Sequence, residues 1–393
     1  MKSILVIHHG QGVGGGLIAL LGLIAELKEN NRVHVLSIFD GIAVDYIRQT
    51  GATVTVAKSR FYAKFYQLFI HSDAAYFNII DSIRNNKSVI LYYLSKYYFA
   101  GKELKNIVFD YEIVYLNSIF ISDWARASKL AKKKVVIHVR EPLSRGLFKF
   151  KYEIIRQTIN KYCDQVIAIS HDNASRLDLQ HKTTVVYDPV VTKNRSQSEY
   201  KLINRKFKYF VYLGGMARIK GFEQLVESLE YLDENIRIFF LGGESEYASH
   251  GLKRLVRQNL DPFFLKNKRL IDKLKKSGKI IHVGLVDDVF YYYENSIAAI
   301  CPFSKPHASL PILEAFSVGK PVIVSDVKGM EELVDSTNGV FFINSDPESL
   351  AHKINEMSQV TEQDYEAMRT ACMTKYKQIR ERSDSVTSVL NRT

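Results

Sequence analysis

The chain has 393 residues, 46% hydrophobic and 24% charged, which excludes a disordered tract and exceeds what one ordinary core fills, so two domains are expected. A net charge of +12 and a pI near 9.3 suit nucleic acid, an anionic membrane surface or phosphorylated substrates without choosing among them. Cys163, Cys301 and Cys372 are widely spaced with no Cys-x-x-Cys, which argues against a disulfide frame or zinc site; no apolar run reaches the length of a signal peptide or membrane span, so a cytoplasmic protein is expected.

The elements alternate from the start. KSILVIHH (2–9) reads as a strand, a glycine-rich loop follows, and 17–30 has helical spacing; 32–39 and 53–57 read as further strands. The stretch 59–105 mixes Tyr and Phe with Lys and Arg, including Arg60, Lys64, Arg84, Lys87, Lys96 and Lys102. It suits an aromatic helical layer of the first domain or a face that meets an anionic membrane. No RNA-binding module accompanies it, so no nucleic-acid partner is expected. Strands follow at 112–117, 134–139 and 165–170, with a helix across 121–133, and then an extended run at 183–191. The pattern restarts at 207–215, continues through a helix at 220–232, strands at 237–243, 279–284 and 298–303, a helix from about Leu310, and strands at 321–326 and 339–343.

This alternation predicts an α/β protein: two Rossmann-like βαβ domains, each with a parallel sheet, facing each other across a cleft. The expected boundaries are 1–190 for the first domain, 191–206 for a polar linker and 207–370 for the second. A helical segment at 371–393 is expected to pack back on the first domain. Nothing in the sequence speaks to oligomeric state.

Gly12, Gly14, Gly15 and Gly16 separate the first strand from the first helix, and Gly10, Gly12 and Gly15 fit a Gly-x-Gly-x-x-Gly spacing with Asp40 after the second strand. That permits a nicotinamide-dependent oxidoreductase, or simply a tight turn into a helix. In YLGGMARIKG (212–221), Gly214, Gly215, Arg218 and Lys220 lie between a strand and a helix, where two cations suit a phosphate-bearing ligand. The loop around Ser309 offers another helix N-terminus, and Glu314 lies one turn in, placed to cap that helix or to accept from the vicinal diol of a ribose. No Asp-x-Asp occurs, so no metal is expected at a diphosphate, whose charge then falls to Arg218, Lys220 and helix N-termini.

Several segments together resemble the GT-B glycosyltransferases of the large retaining family numbered four: YLGGMARIKGFEQLVESL, HVGLVDDVFYYYENSIAAICPF (282–303), SLPILEAFSVGKPVIVSD, VVIHVREP (135–142), VIAISHDNASRL and VVYDPV. The resemblance covers nearly the whole chain. It implies retaining transfer from a nucleoside diphosphate sugar, such as a UDP- or GDP-sugar, to a glycan or lipid-linked acceptor, as in surface polysaccharide synthesis. With a lipid-linked acceptor, the net charge of +12 and the stretch 59–105 lead to the expectation of a peripheral protein at the inner face of the cell membrane. His138 matches the histidine that reaches the sugar of the nucleotide, and Glu314 the second of the family's paired glutamates. With Arg218 and Lys220 these form the expected catalytic set. Gly14, Gly15, Gly16, Gly214, Gly215, Leu285, His307, Ser309, Leu310 and Pro311 are the implied contacts to the sugar nucleotide. Arg140 and Glu141 either line the acceptor side or pair with each other. Pro306 stands where the first paired glutamate would be, which leaves polar contact there to His307 or Ser309 and admits a non-catalytic sugar-nucleotide-binding protein.

Overall fold

The structure is a computed structural model; it describes residues 1–73, 75–76, 79–146, 149–190, 203–243, 262–286, 288–306 and 310–392, with the side chains of 79–84, 262–265 and 267 left aside. The described chain forms two compact units, Met1–Val191 with Arg382–Thr393, and Thr192–Glu381.

In the first unit, β1 (Lys2–His8), β2 (Asn31–Ser37), β3 (Thr53–Val56), β4 (Ile113–Leu116), β5 (Lys134–Val139), β6 (Gln165–Ala168) and β7 (Thr183–Val185) form a parallel sheet in the order β3-β2-β1-β4-β5-β6-β7. Ile4 to Ile7 and Val135 to Val139 are apolar on both faces apart from His138, as a strand covered by helices on each side requires. The helices are α1 (Gly15–Lys28), α2 (Ile42–Gln49), α3 (Ile79–Leu94), α4 (Ala100–Lys105), α5 (Trp124–Leu130), α6 (Phe150–Tyr162) and α7 (His171–Leu177).

The second unit has β8 (Lys208–Tyr212), β9 (Ile236–Leu241), β10 (Ile280–Gly284), β11 (Ala299–Cys301), β12 (Val322–Ser325) and β13 (Gly339–Phe342), in the order β10-β9-β8-β11-β12-β13, again parallel. Its helices are α8 (Phe222–Ser228), α9 (Pro262–Lys276), α10 (Phe290–Glu294), α11 (Leu310–Ser317), α12 (Pro347–Ser358) and α13 (Glu362–Arg382). The last helix, α14 (Val386–Arg392), packs Val386, Val389 and Leu390 into the core beneath α1. Lys2 donates to the Leu390 carbonyl at 2.7 Å and Thr387 to Glu26 at 2.8 Å. The chain thus rejoins the first unit at Arg382, within the 371–393 segment, because Cys372 and Ile379 of α13 are still buried in the second unit. Of the polar linker read at 191–206, 191–202 lies outside the described residues.

Three local readings change. The helix read across 220–232 is divided into a 3₁₀ turn (Arg218–Lys220), α8 and a second 3₁₀ turn (Leu229–Tyr231), because Gly221 has φ 80° and cannot continue a right-handed helix. The extended run read at 183–191 pairs only over Thr183–Val185. The aromatic stretch 59–105 divides by face. Phe61, Tyr62, Tyr66, Phe69 and Tyr92 are buried against Trp124, and Lys96, read as a surface cation, is itself buried. Its ammonium donates to Thr158 at 2.7 Å and lies 5.6 Å from the rings of Tyr97 and Tyr162.

Gly221 also brings two strand ends together. A Cβ there would fall 1.5 Å from the Pro302 carbonyl oxygen, so only glycine lets the turn after β8 close on the end of β11. Gly221→Ala is expected to lower the stability of the second unit by roughly 3 kcal/mol or more. Gly278→Ala, with similar handedness (φ 64°) and no atom within 4 Å, should cost only about 1 kcal/mol. Urea titrations of the two variants check this; equal losses would show that the Pro302 contact does not constrain the fold.

Candidate functional site

In the second sheet the chain runs outward from β8 through β9 to β10, then returns to β11 on the other side of β8. The carboxyl ends of β8 and β11 therefore flank the point where strand order reverses, the place where open α/β sheets take ligands. After β8 comes the 218–221 turn; after β11 come Pro302, Phe303 and Ser304. These two segments are bonded together. Ser304 N–H donates to the Ile219 carbonyl at 3.2 Å, and Ser304 Oγ donates to that of Arg218 at 2.8 Å. Gln224 of α8 holds the same loop by donating to the Pro302 carbonyl at 2.6 Å, and its own oxygen accepts from Ser345 N–H at 2.9 Å.

The turn presents Arg218 to solvent, its Nε 3.2 Å from Glu223, and turns Lys220 inward. Lys220 Nζ lies 5.0 Å from the Phe303 ring centre. Burial lowers its pKa to about 8, against the opposing pull of Cys301 and Glu314. Glu314, on the second turn of α11, accepts a hydrogen bond from Tyr293 Oη at 3.0 Å, and the same hydroxyl lies 3.1 Å from the Pro311 carbonyl. Burial raises Glu314 to about 7, a shift that the Tyr293 bond and Lys220 partly oppose. Lys220 and Glu314, far apart in the chain, thus sit in one electrostatic environment.

Gly214 and Gly215 follow β8; a Cβ on Gly214 would fall 2.0 Å from the Tyr212 hydroxyl, which donates to the Gly215 carbonyl at 3.0 Å. Leu310 and Pro311 open α11, and exposed Leu285 follows β10 at the same end of the sheet. His307 and Ser309 lie outside the described residues. Tyr293 and Gln224 were not singled out from sequence. One tyrosine in a run of three carries no signal, and Gln224 reads as an ordinary helical residue.

The first unit reverses strand order in the same way, between β1 and β4. The glycine loop follows β1, with Gly14 as the uncapped N-terminus of α1 and Gly15 and Gly16 in its first turn. A Cβ on Gly12, Gly14, Gly15 or Gly16 would meet nothing within 4 Å, so the close helix-to-strand packing that a dinucleotide fingerprint asks of its third glycine is absent at Gly15. His138, in β5, is buried; its Nδ1 lies 2.5 Å from Tyr115 Oη and 3.3 Å from an Arg140 Nη. Burial and Arg140 hold its pKa well below the usual histidine range. Arg140 and Glu141 do not pair with each other. Arg140 forms an ion pair with Asp188 at 2.5 Å and donates to Asn117 Oδ1 at 2.9 Å. Glu141 accepts from Ser118 Oγ at 2.9 Å and Ile119 N–H at 3.1 Å, and burial raises it to about 7.

The two units together have the GT-B fold, and residues 193–371 match the family model described as Glycosyl transferases group 1. The chain carries a group 1 glycosyltransferase domain. It is 23% identical over 295 residues to the N,N'-diacetylbacillosaminyl-diphospho-undecaprenol alpha-1,3-N-acetylgalactosaminyltransferase of Campylobacter jejuni, covering 67% of this chain and 71% of that one. It is 21% identical over 189 residues to the O-antigen chain mannosyltransferase RfbU of Salmonella typhimurium, about half of each protein (48% and 49%). Among solved structures, Anabaena Alr3699/HepE in complex with UDP superposes over 100% of both chains with a TM-score of 0.69 at 17% identity.

Glu314 supplies a pH signature. An unfolded glutamate titrates near 4.3, roughly, and folded Glu314 near 7, so the folded protein holds this proton more tightly. The stability it contributes is present below the unfolded pKa and lost as pH rises through the folded one. Glu314→Gln, permanently neutral, is therefore expected to raise the melting midpoint at pH 8 and to change it little at pH 5. Thermal melts at both values decide; a gain equal at both, or a loss at pH 8, contradicts the assignment.

Proposed function

We propose that the protein transfers a sugar from a nucleoside diphosphate sugar to a glycan or lipid-linked acceptor in the synthesis of a surface glycan, with retention of anomeric configuration. The observation that carries this is the joining of the turn bearing Arg218 and Lys220 to the segment after β11, where strand order reverses, with Glu314 on the helix that follows. A cation and a carboxylate there match the two ends of a nucleoside diphosphate: phosphate oxygens for Lys220 and Arg218, ribose hydroxyls for Glu314. The relatives' names fit this reading, since they include an O-antigen mannosyltransferase and a transferase acting on a diphospho-undecaprenol substrate. The HepE structure holds UDP.

In the proposed reaction the bond between the anomeric carbon and the leaving phosphate oxygen breaks while the acceptor oxygen bonds to the same face of that carbon. The leaving phosphate takes the acceptor's proton. Charge builds on the diphosphate, and we assign its stabilisation to Arg218 and Lys220 rather than to a metal ion, in keeping with a sequence that has no Asp-x-Asp. His138 is proposed to contact the sugar, and His307 or Ser309 to supply polar contact beside Pro306. Replacing both Arg218 and Lys220 with Ala should lower turnover by at least 10²-fold, approximately, while EDTA leaves the parent enzyme unaffected. A panel of UDP- and GDP-sugars, assayed for transfer or hydrolysis with and without chelator, tests both statements. Loss of activity with EDTA that Mg²⁺ or Mn²⁺ restores would assign the charge to a metal instead.

We further propose that the protein works as a peripheral protein on an anionic membrane. No described helix is long and apolar enough to cross one. Beside the buried layer of the first unit, α3 and the turn after it leave Ile90 64%, Tyr97 57% and Tyr98 59% exposed, with Leu94 between them. Arg60, Lys64, Lys87 and Lys102 are exposed on the same stretch, whereas Lys96 is withdrawn. Each cation near an anionic bilayer contributes about 1 kcal/mol, falling off within roughly 8 Å at physiological salt. Co-sedimentation with anionic vesicles should exceed that with neutral ones, and Ile90→Glu with Tyr97→Glu should abolish the difference. Equal sedimentation of parent and variant would remove this face from consideration.

A further inference from the structure

The first unit contains a second imidazole in the same chemical state as His138, at a position with no role in the proposed reaction. His8 ends β1, and the strand register extends from Ile7 through Leu116 to Ile137, so His8, Asn117 and His138 follow in one row across β1, β4 and β5. The side chains of this row share a sheet face with Val6, Tyr115 and Val136, the face that α1 covers. The row stands where strand order reverses.

The protons in this row can be assigned without seeing them. Arg140 has only donors, so the Asn117 atom 2.9 Å from its Nε is the amide oxygen. The Asn117 nitrogen therefore faces His8 Nδ1, 3.3 Å away, and as a donor it makes Nδ1 the acceptor. The same reasoning applies to His138, whose Nδ1 faces an Arg140 Nη at 3.3 Å. Both rings are thus neutral with the proton on Nε2. Among the described residues neither Nε2 has a hydrogen-bond partner, and both are buried. A buried N–H without a partner costs on the order of 1–3 kcal/mol, so two such groups in one row call for an explanation. Gly10 indicates where one of them points. A Cβ on Gly10 would fall 2.6 Å from His8 Nε2, so the N–H lies against the glycine loop, where the missing side chain leaves the ring room.

We propose that His8 is a second hydrogen-bond donor to substrate beside His138, its Nε2–H held ready by Asn117 and Arg140 for a phosphate or hydroxyl oxygen entering at the glycine loop. This rests on the glycosyltransferase reading. His8 touches the substrate; Asn117 and Arg140 are positioning residues that fix the tautomer, and Asp188 fixes Arg140 through their ion pair. A neutral imidazole donates the same N–H across the working range, and burial together with His9 and Arg140 drives the His8 pKa to about 3, far from that range. No step in turnover is therefore expected from its titration.

The experiment has a kinetic and a spectroscopic arm. In the first, UDP-glucose, UDP-galactose, UDP-N-acetylglucosamine and GDP-mannose are assayed for hydrolysis, and the most rapidly turned over is used with the variants. His8→Phe should lower kcat/KM at least about tenfold without lowering the melting midpoint, and UDP affinity falls with it if the oxygen it meets is a phosphate's. His8→Gln, which keeps an N–H near the place of Nε2, should stay within about threefold of the parent. In the second arm, ¹⁵N-histidine labelling reads the ring nitrogens, the His8 signal being the one that His8→Gln removes. It should show Nε2–H with no titration from pH 5.5 to 8.5, and Asn117→Leu should disturb it. Parent-like turnover in His8→Phe, or equal damage in both His8 variants, overturns the proposal. So does an Nδ1–H tautomer, or a titration near pH 6.5, even if His8→Phe fails to fold. A parent protein that turns over no sugar nucleotide counts against the glycosyltransferase reading instead, and the tautomer still decides the state of His8.

Discussion

The contact on which the second unit's site depends is between two pieces of backbone: the turn at Gly221 against the carbonyl of Pro302. It closes the end of β8 onto the end of β11 with no room for a side chain between them. The cations of the site depend on that closure. Lys220, one residue before the glycine, is carried over the Phe303 ring and into the field of Glu314. Ser304 and Gln224 then fasten the same two segments by hydrogen bonds to backbone carbonyls. A cation on a freely moving loop would remain solvated; here the backbone forces it inward and burial lowers its pKa.

The two units solve one problem with different groups. Each sheet reverses strand order once, and each puts its polar residues at that reversal. In the second unit the groups are a lysine and a glutamate, each shifting the other's titration, and the proposed ligand has a phosphate at one end and hydroxyls at the other. In the first unit the titratable rings are neutral. Arg140, paired with Asp188, meets His138 directly and reaches His8 through Asn117. Breaking such a buried pair leaves an uncompensated charge, so it serves here as a fixed frame. As proposed donors, neutral rings would meet an oxygen without adding a net charge that competes for a diphosphate.

Much of this was legible in the sequence, for identifiable reasons. A strand buried on both faces must be apolar throughout, so runs such as Ile4 to Ile7 stand out without an alternating pattern. Arg218 and Lys220 stood out as cations in a loop between a strand and a helix, and Glu314 as the single carboxylate in an apolar helix. The division of 220–232 was not, since a glycine's left-handed φ depends on the Pro302 carbonyl, far along the chain. Nor could composition separate the two faces of 59–105. Lys96 reads like its neighbours, and only the fold shows it enclosed by tyrosines and bonded to Thr158. His8 and Asn117 carried a weaker signal that could have been used: each lies at the end of a strand flanking the strand-order reversal, where an apolar residue would otherwise be expected.

The electrostatics of Lys220 and Glu314 give the second unit's site its last property. Burial pushes the lysine down to about 8 and the glutamate up to about 7, so their titrations draw together near neutral pH. In the ligand-free protein neither charge is strongly held, which limits the cost of keeping both out of water. A phosphate group arriving beside Lys220 favours its charged form, and a ribose hydroxyl donating to Glu314 favours the carboxylate. With the proposed ligand bound, the two groups would move in opposite directions, one toward taking up a proton and the other toward releasing one. The backbone contact at Gly221 fixes the lysine's side of that pair, and the Tyr293 hydrogen bond fixes the glutamate's.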